Sequence, residues 1–241
     1  MRVAIVSDIH SNLSALRAVL EHAASIDAVW CLGDTVGYGP QPNECIALLR
    51  EHRGWAVAGN HDMAASGGMG VEEFNDTAAE AARWTAGELS DESVAYLKAL
   101  PPIVTEGDFT MVHGSLRHPE WEYLLSTEQA QTQFELQSTP YSLVGHSHLP
   151  FVCKEQPGPP PVLATAGDGA RTELTAQRLI INPGSVGQPR DSDPRAGYAL
   201  YDSAAGVVTH HRVPYDIAAT QSLMEAAGLP VWLIERLSYG R

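Results

Sequence analysis

Over the first sixty residues, hydrophobic positions fall in short runs, each closed by small and polar residues. Residues 2–7 (RVAIVS) are β-branched and apolar, then turn polar, and read as a buried strand. Asn12 or Ser14 is placed to cap the helix that follows, with Leu16, Val19 and Leu20 on its apolar stripe. Residues 28–32 (AVWCL) predict a second strand, ending at Gly33-Asp34. Residues 43–52 predict a second helix after a Pro- and Gly-rich loop. A third strand over 55–58 ends at Gly59-Asn60-His61-Asp62. This β-α-β-α-β order predicts parallel pairing with right-handed crossovers.

The rhythm then changes. Residues 72–89 and 91–100 carry helical patterns, with Ser90 as a cap between them and Pro101-Pro102 as a stop. Gly107-Asp108 lies between two short strand-like runs and predicts a hairpin that ends at His113-Gly114. Residues 127–136 read as a helix. Residues 141–144 read as a strand closed by Gly145-His146-Ser147-His148. From 151 to 213 strands and turns dominate, including runs over 178–181, 197–201 and 207–213. The stretch 156–161 (QPGPPP) forms an irregular loop. Residues 216–236 are again helical, interrupted near Gly228 and Pro230. No repeat or long linker divides the chain, so 1–241 is expected to be one domain, with its strand-rich second half forming a second sheet packed on the first.

Composition narrows the class. A chain of 241 residues, 44% hydrophobic, can bury a large core. No apolar run approaches the ~20 residues that a membrane helix needs. The short run at the start is interrupted by Asp8 and His10 too early for a signal peptide. Cys31, Cys45 and Cys153 form no close pair, and the expected location is the reducing cytoplasm. The net charge of -14 argues against an extended nucleic-acid surface or an anionic membrane as partner. It also repels phosphates, so an enzyme acting on them needs concentrated local positive charge, which bound metal ions supply.

Five apolar runs end in metal-capable residues: Asp8 and His10, then Asp34, then Asn60 and His61, then His113, then His146 and His148. Taken singly, the Asp and Asn residues read as caps or turn formers, and a lone histidine as a hydrogen-bonded core or surface residue. Recurrence at successive strand ends, where open α/β sheets gather their ligands, favours a shared site. The donors are imidazole nitrogens and carboxylate or amide oxygens without thiolate. That set suits Mn, Fe, Co, Ni or Zn and is too nitrogen-rich for calcium. Even without His61, the seven other candidate ligands exceed one tetrahedral zinc site and suit two metals about 3.5–4 Å apart with a bridging carboxylate.

The blocks D-x-H at Asp8/His10, G-D at Gly33/Asp34, G-N-H-D at 59–62, the lone His113 and G-H-x-H at 145–148 resemble those of the calcineurin-like metallophosphoesterases, in the same order. The stretches 33–44 (GDTVGYGPQPNE) and 182–191 (NPGSVGQPRD) are similar to the small bacterial phosphodiesterase branch. The resemblance implies an α/β fold, a four-layer α-β-β-α sandwich of two mixed sheets flanked by helices. It implies one metal held by Asp8, His10, Asp34 and His148, a second held by Asp34, Asn60, His113 and His146, and Asp34 as the bridge. Manganese is the favoured metal.

On this reading, water shared by two metals attacks phosphorus in line, without a covalent intermediate. His61 resembles the family's group that protonates the leaving oxygen or hydrogen-bonds the phosphoryl group. Asp62 either orients His61 or caps a helix. Asn12, Tyr38 and Arg190 are candidate substrate contacts. Arg190 could alternatively pair with Asp191 or Asp193, and Tyr38 could stack on a base or simply pack. The expected activity is hydrolysis of small phosphate esters, diester or monoester. The alternatives are a diadenosine polyphosphate hydrolase and a non-catalytic interaction protein, as the retromer subunit is on this fold. Loss of the His after Gly-Asn would mark the latter, and His61 is present.

Overall fold

The computed structural model describes residues 1–241. In chain order the elements are β1 (Arg2–Val6), α1 (Leu13–Ala23), β2 (Ala28–Cys31), α2 (Pro42–Arg50), β3 (Gly54–Ala56), α3 (Asn60–Ala65), α4 (Asp76–Glu88) and α5 (Asp91–Lys98). There follow β4 (Ile103–Glu106), β5 (Phe109–Val112), α6 (Thr127–Leu136), β6 (Tyr141–Leu143), β7 (Phe151–Lys154), β8 (Val162–Thr165), β9 (Arg171–Glu173) and β10 (Leu179–Asn182). The chain closes with β11 (Ala196–Asp202), β12 (Val207–Val213), α7 (Ile217–Ala226), α8 (Val231–Glu235) and a 3₁₀ turn, Arg236–Ser238.

Two six-stranded sheets, ordered β3-β2-β1-β11-β12-β9 and β4-β5-β6-β10-β7-β8, lie face to face. Period-two alternation makes this possible. Val3 and Ile5 of β1 point into the core between the sheets, with Trp30, Phe109, Met111, Leu143 and Ile181. Ala4 and Val6 point the other way, onto Leu13, Leu16 and Val19 of α1. On the outside of the second sheet, Val112, Val144 and Ile180 meet Ala130 and Phe134 of α6. The result is the expected α-β-β-α sandwich, with both sheets mixed. β1, β2 and β3 run parallel, as do β5, β6 and β10, and every other pairing is antiparallel.

Three details differ from the sequence reading. The second half does not build its own sheet: β9, β11 and β12 join the first sheet, whereas β4 to β8 and β10 form the second. Residue alternation fixes which face of a strand is buried but not which neighbour it chooses. The helix expected from 72 starts at Asp76, because the Asn75 side chain accepts a hydrogen bond from the Ala78 amide and caps it there. The six-residue α3 begins at Asn60, inside what reads as a loop, and is too short to carry a periodic signal. Asn12, not Ser14, caps α1.

Candidate metal centre

The carboxyl ends of β1, β2 and β3 in one sheet and of β5 and β6 in the other meet at a single edge of the sandwich. Asp8 and His10 follow β1, Asp34 follows β2, Asn60 and His61 open α3 after β3, His113 follows β5, and His146 and His148 follow β6. All eight are buried. Three groupings bring ligand atoms within 4.8 Å of one another: Asp8, His10 and His148; His10, Asp34 and His61; Asp34, His113 and His146. Asp34 lies between the outer two, its Oδ2 3.7 Å from His10 Nε2 and 3.3 Å from His113 Nε2. Asn60 Oδ1 is 3.2 Å from His113 Nε2.

The backbone pays attention to these positions in an unusual way: Asp8, His10, Asp34, His146 and His148 all adopt positive φ, between 48° and 62°. That region is sparsely populated by residues other than glycine and persists only where the surroundings enforce it. Gly59 is required for a related reason, since a Cβ there would lie 2.1 Å from Asp34 Oδ1.

Backbone carbonyls fix the imidazole tautomers. His10 Nδ1 donates to Val36 O, His148 Nδ1 to Gln188 O, His113 Nδ1 to Leu32 O at 2.7 Å, and His146 Nε2 to Trp121 O at 3.1 Å. In the neutral rings, the other nitrogen of each then presents a lone pair. These lone pairs face one another, His10 Nε2 to His148 Nε2 at 3.2 Å and His113 Nε2 to His146 Nδ1 at 3.1 Å. Both carboxylate oxygens of Asp8 are buried with no hydrogen-bond partner. Imidazole nitrogens and carboxylate oxygens crowded this closely fit cations, and nitrogen and oxygen donors without sulfur fit borderline or hard divalent metals.

The protein electrostatics agree. Burial pushes the Asp8 carboxyl up to about 7, partly offset by His113 and reinforced by Asp34. Burial also opposes charge on Asp34, but His113, His61 and His10 outweigh it and hold that carboxyl well below the usual range. Burial depresses His10 and His148 strongly and His146 to about 3. His113 is the exception: Asp34 beside it overcomes burial and raises it to about 9.

The other expected residues separate into two sets. His61 lines the cleft, its ring packed on Tyr38 (4.3 Å between centroids) and edge-on to Phe74 (4.8 Å). Its Nδ1 is buried without a partner. Asp62 does not touch that nitrogen. Its oxygens accept from the Val36 amide at 3.0 Å and the Gly59 amide at 3.2 Å, so it ties the loop after β2 to the start of α3. Of the two roles open to Asp62, orienting His61 or capping a helix, these hydrogen bonds are those of the cap. Asn12 is likewise structural: Oδ1 accepts from the Ala15 amide and the Thr220 hydroxyl, and Nδ2 donates to Gly187 O. Arg190 lines the cleft and forms no ion pair; Asp191 pairs with Arg212 and Asp193 with Arg195. Tyr38 also lines the cleft but is only 7% exposed. Phe74, Trp121 and Tyr123 complete the walls. Nothing in the local sequence marks them, because they sit on loops whose course is set by distant packing.

Comparison with known proteins follows the same lines. The calcineurin-like phosphoesterase superfamily domain matches residues 1–206. An uncharacterized protein of Methanocaldococcus jannaschii is 39% identical over 246 residues, covering 99% of this chain and 98% of that one. The crystal structure of a metallophosphoesterase from Sphaerobacter thermophilus is 46% identical with a TM-score of 0.91, covering 100% of this chain and 99% of that one. More distantly, a symmetrical bis(5'-nucleosyl)-tetraphosphatase of Aromatoleum aromaticum is 29% identical over 130 residues, 50% of this chain and 46% of that protein.

Proposed function

The chain belongs to the calcineurin-like phosphoesterase superfamily, and from that premise we propose that it is a dinuclear-metal hydrolase of small phosphate esters, with broad diesterase and monoesterase activity. The observation that carries this is the two pairs of facing imidazole nitrogens on either side of Asp34. Asp8, His10, Asp34 and His148 would hold one cation and Asp34, Asn60, His113 and His146 the other, with manganese favoured. Two bound divalent cations supply charge neutralisation at the phosphoryl oxygens and a lowered pKa for water at the site.

The chain's own residues do the rest. The four carbonyl contacts fix the imidazoles so that no reorientation is needed when substrate arrives. Arg190, free of carboxylates, is positioned to bind a phosphate oxygen or a second phosphate. His61 turns Nδ1 toward Gly37, which leaves Nε2 as the nitrogen available to the cleft. Burial pushes His61 down to about 4, so the resting ring is neutral at pH 7. The negative charge of a bound phosphate favours its protonation, and Nε2 then holds the proton that the leaving oxygen takes.

The proposal covers the whole chain, 1–241, as one unit, since Met224 and Leu237 from the C-terminal helices pack on Tyr38 at the cleft. The three free, buried cysteines support a reducing compartment, the cytoplasm. The half-length similarity to a tetraphosphatase supports a second reading, in which the substrate is a dinucleoside polyphosphate. Metal analysis of the purified protein, followed by assay of a Mn²⁺-reconstituted sample on bis-p-nitrophenyl phosphate, a monoester and diadenosine tetraphosphate, tests both. Two metals per chain with turnover of the simple esters is expected. Turnover confined to diadenosine tetraphosphate would favour the second reading, and inertness on all three would end the first.

A further inference from the structure

The cleft over the metal-ligand candidates has a volume of about 240 Å³ and an uneven lining. Polar groups form its floor, and one wall is aromatic. Phe74 comes from the segment before α4, and Trp121 and Tyr123 from the connection between β5 and α6. Phe74 and Trp121 meet edge to face at 5.0 Å between centroids. Tyr123 lies flat on His146, 4.0 Å away with planes 9° apart. Trp121 and Tyr123 take no part in the hydrophobic cores, and Tyr123 is 39% exposed although one face is covered by His146. Two large rings left at a cleft, outside any core, present area for a planar partner. Tyr38 cannot serve in this way, because it is buried against His10 and His61.

We propose that Trp121 and Tyr123 form a stacking subsite for the nucleobase of a small nucleotide phosphoester and determine specificity for it. The proposal rests on the phosphoesterase reading of the same site. The rim favours a base over a plain aryl ring. Asn75 uses its Oδ1 as a helix cap, which leaves its amide donors free, and Glu73 adds an exposed carboxylate acceptor; both line the cleft. Base edges carry matching acceptors and donors, and a phenyl ring has none. The volume lies below the ~300 Å³ at which drug-sized pockets begin, which leaves room for one nucleoside end, with anything attached beyond it reaching solvent.

The experiment compares two esters that share a p-nitrophenolate leaving group, thymidine 5'-p-nitrophenyl phosphate and methyl p-nitrophenyl phosphate, on the Mn²⁺-loaded protein, Trp121→Leu and Tyr123→Leu. Wild type should prefer the nucleotide in kcat/KM by about tenfold or more, mainly through KM, as expected for one stacked base. Each variant should shrink that preference severalfold. Titration calorimetry of thymidine 5'-phosphate against ribose 5-phosphate gives a reading independent of turnover, and the base should tighten Kd by a similar factor. Equal Kd values for the two ligands, or a preference unchanged in both variants, would overturn the subsite. Failure of wild type to cleave either ester would instead count against the phosphoesterase reading, while base-dependent binding lost in the variants would still support the subsite.

Discussion

At the scale of single residues, each side chain in the centre has a geometric reason for its state. Asp8, His10, Asp34, His146 and His148 all hold left-handed backbone at the strand ends. Main-chain carbonyls then decide which imidazole nitrogen is free. His61 differs, since no hydrogen bond holds its ring and aromatic neighbours do. His61→Ala should therefore keep the metal content, measured by elemental analysis, and lose turnover by ~10²–10⁴-fold; parallel loss of metal would make His61 a ligand. His210 lies outside the centre, on β12, donating from Nε2 to Asn182 O at 2.9 Å, with Nδ1 unpartnered. Burial pushes it down to about 4. The folded state thus binds this proton more weakly than the unfolded chain, whose histidine titrates near ~6.5. The stability this contributes is complete above that unfolded value and is lost as pH falls from there toward 4, on the order of 2 kcal/mol by pH 5. In His210→Gln, urea unfolding between pH 7 and 5 should show a shallower loss of stability than wild type.

Secondary-structure elements set how closely those residues can meet. The turn after β6 passes so near the end of β1 that a Cβ on Gly145 would sit 2.0 Å from Ser7 Oγ. Asn182 at the end of β10 braces the same turn, donating to Gly145 O at 2.8 Å and Ser147 Oγ at 3.1 Å. Gly145→Ala should push β1 and β6 apart and reduce both metal occupancy and activity, while circular dichroism stays that of a folded protein. Asp62 works at this scale too, joining the loop after β2 to α3 through two amides. Asp62→Ala leaves both amides buried without an acceptor and should cost about 1–3 kcal/mol in urea unfolding. If Asp62 instead oriented His61, the variant would keep its stability and change its pH–rate profile.

Across the whole molecule, the candidate ligands come from both sheets: Asp8, His10, Asp34 and Asn60 from the ends of one, His113, His146 and His148 from the other. Cations bound among them would fasten the two layers at one edge. Chelation should abolish activity and also lower thermal stability. At a metal concentration 100 times Kd, the lost stabilisation is about 2.7 kcal/mol, or roughly 5–10 °C in Tm for a chain of this length. Differential scanning calorimetry with and without EDTA, then with Mn²⁺ restored, checks this, and an unchanged Tm would deny the metals a bridging role. The net charge of -14 makes the same point from outside. Arg190, which has no carboxylate partner, offers a phosphate approaching this acidic molecule attraction at the cleft.

The sequence alone determined most of the strands and longer helices, through local periodicity and capping chemistry, and the family, through short blocks at strand ends whose resemblance carried the sandwich class with it. It named every residue now proposed as a ligand. Tertiary structure decided the rest. The division of the late strands between two sheets, the separation of Asp62 from His61, the choice of cap over substrate contact for Asn12 and the aromatic wall of Phe74, Trp121 and Tyr123 are not written in any window of the chain. Pairing partners, ring orientations and loop courses follow from contacts between residues distant in the chain, such as Asn12 with Thr220 and His10 with His148. Local pattern specifies a side chain's chemistry and the face it occupies; only the packed molecule specifies what it faces.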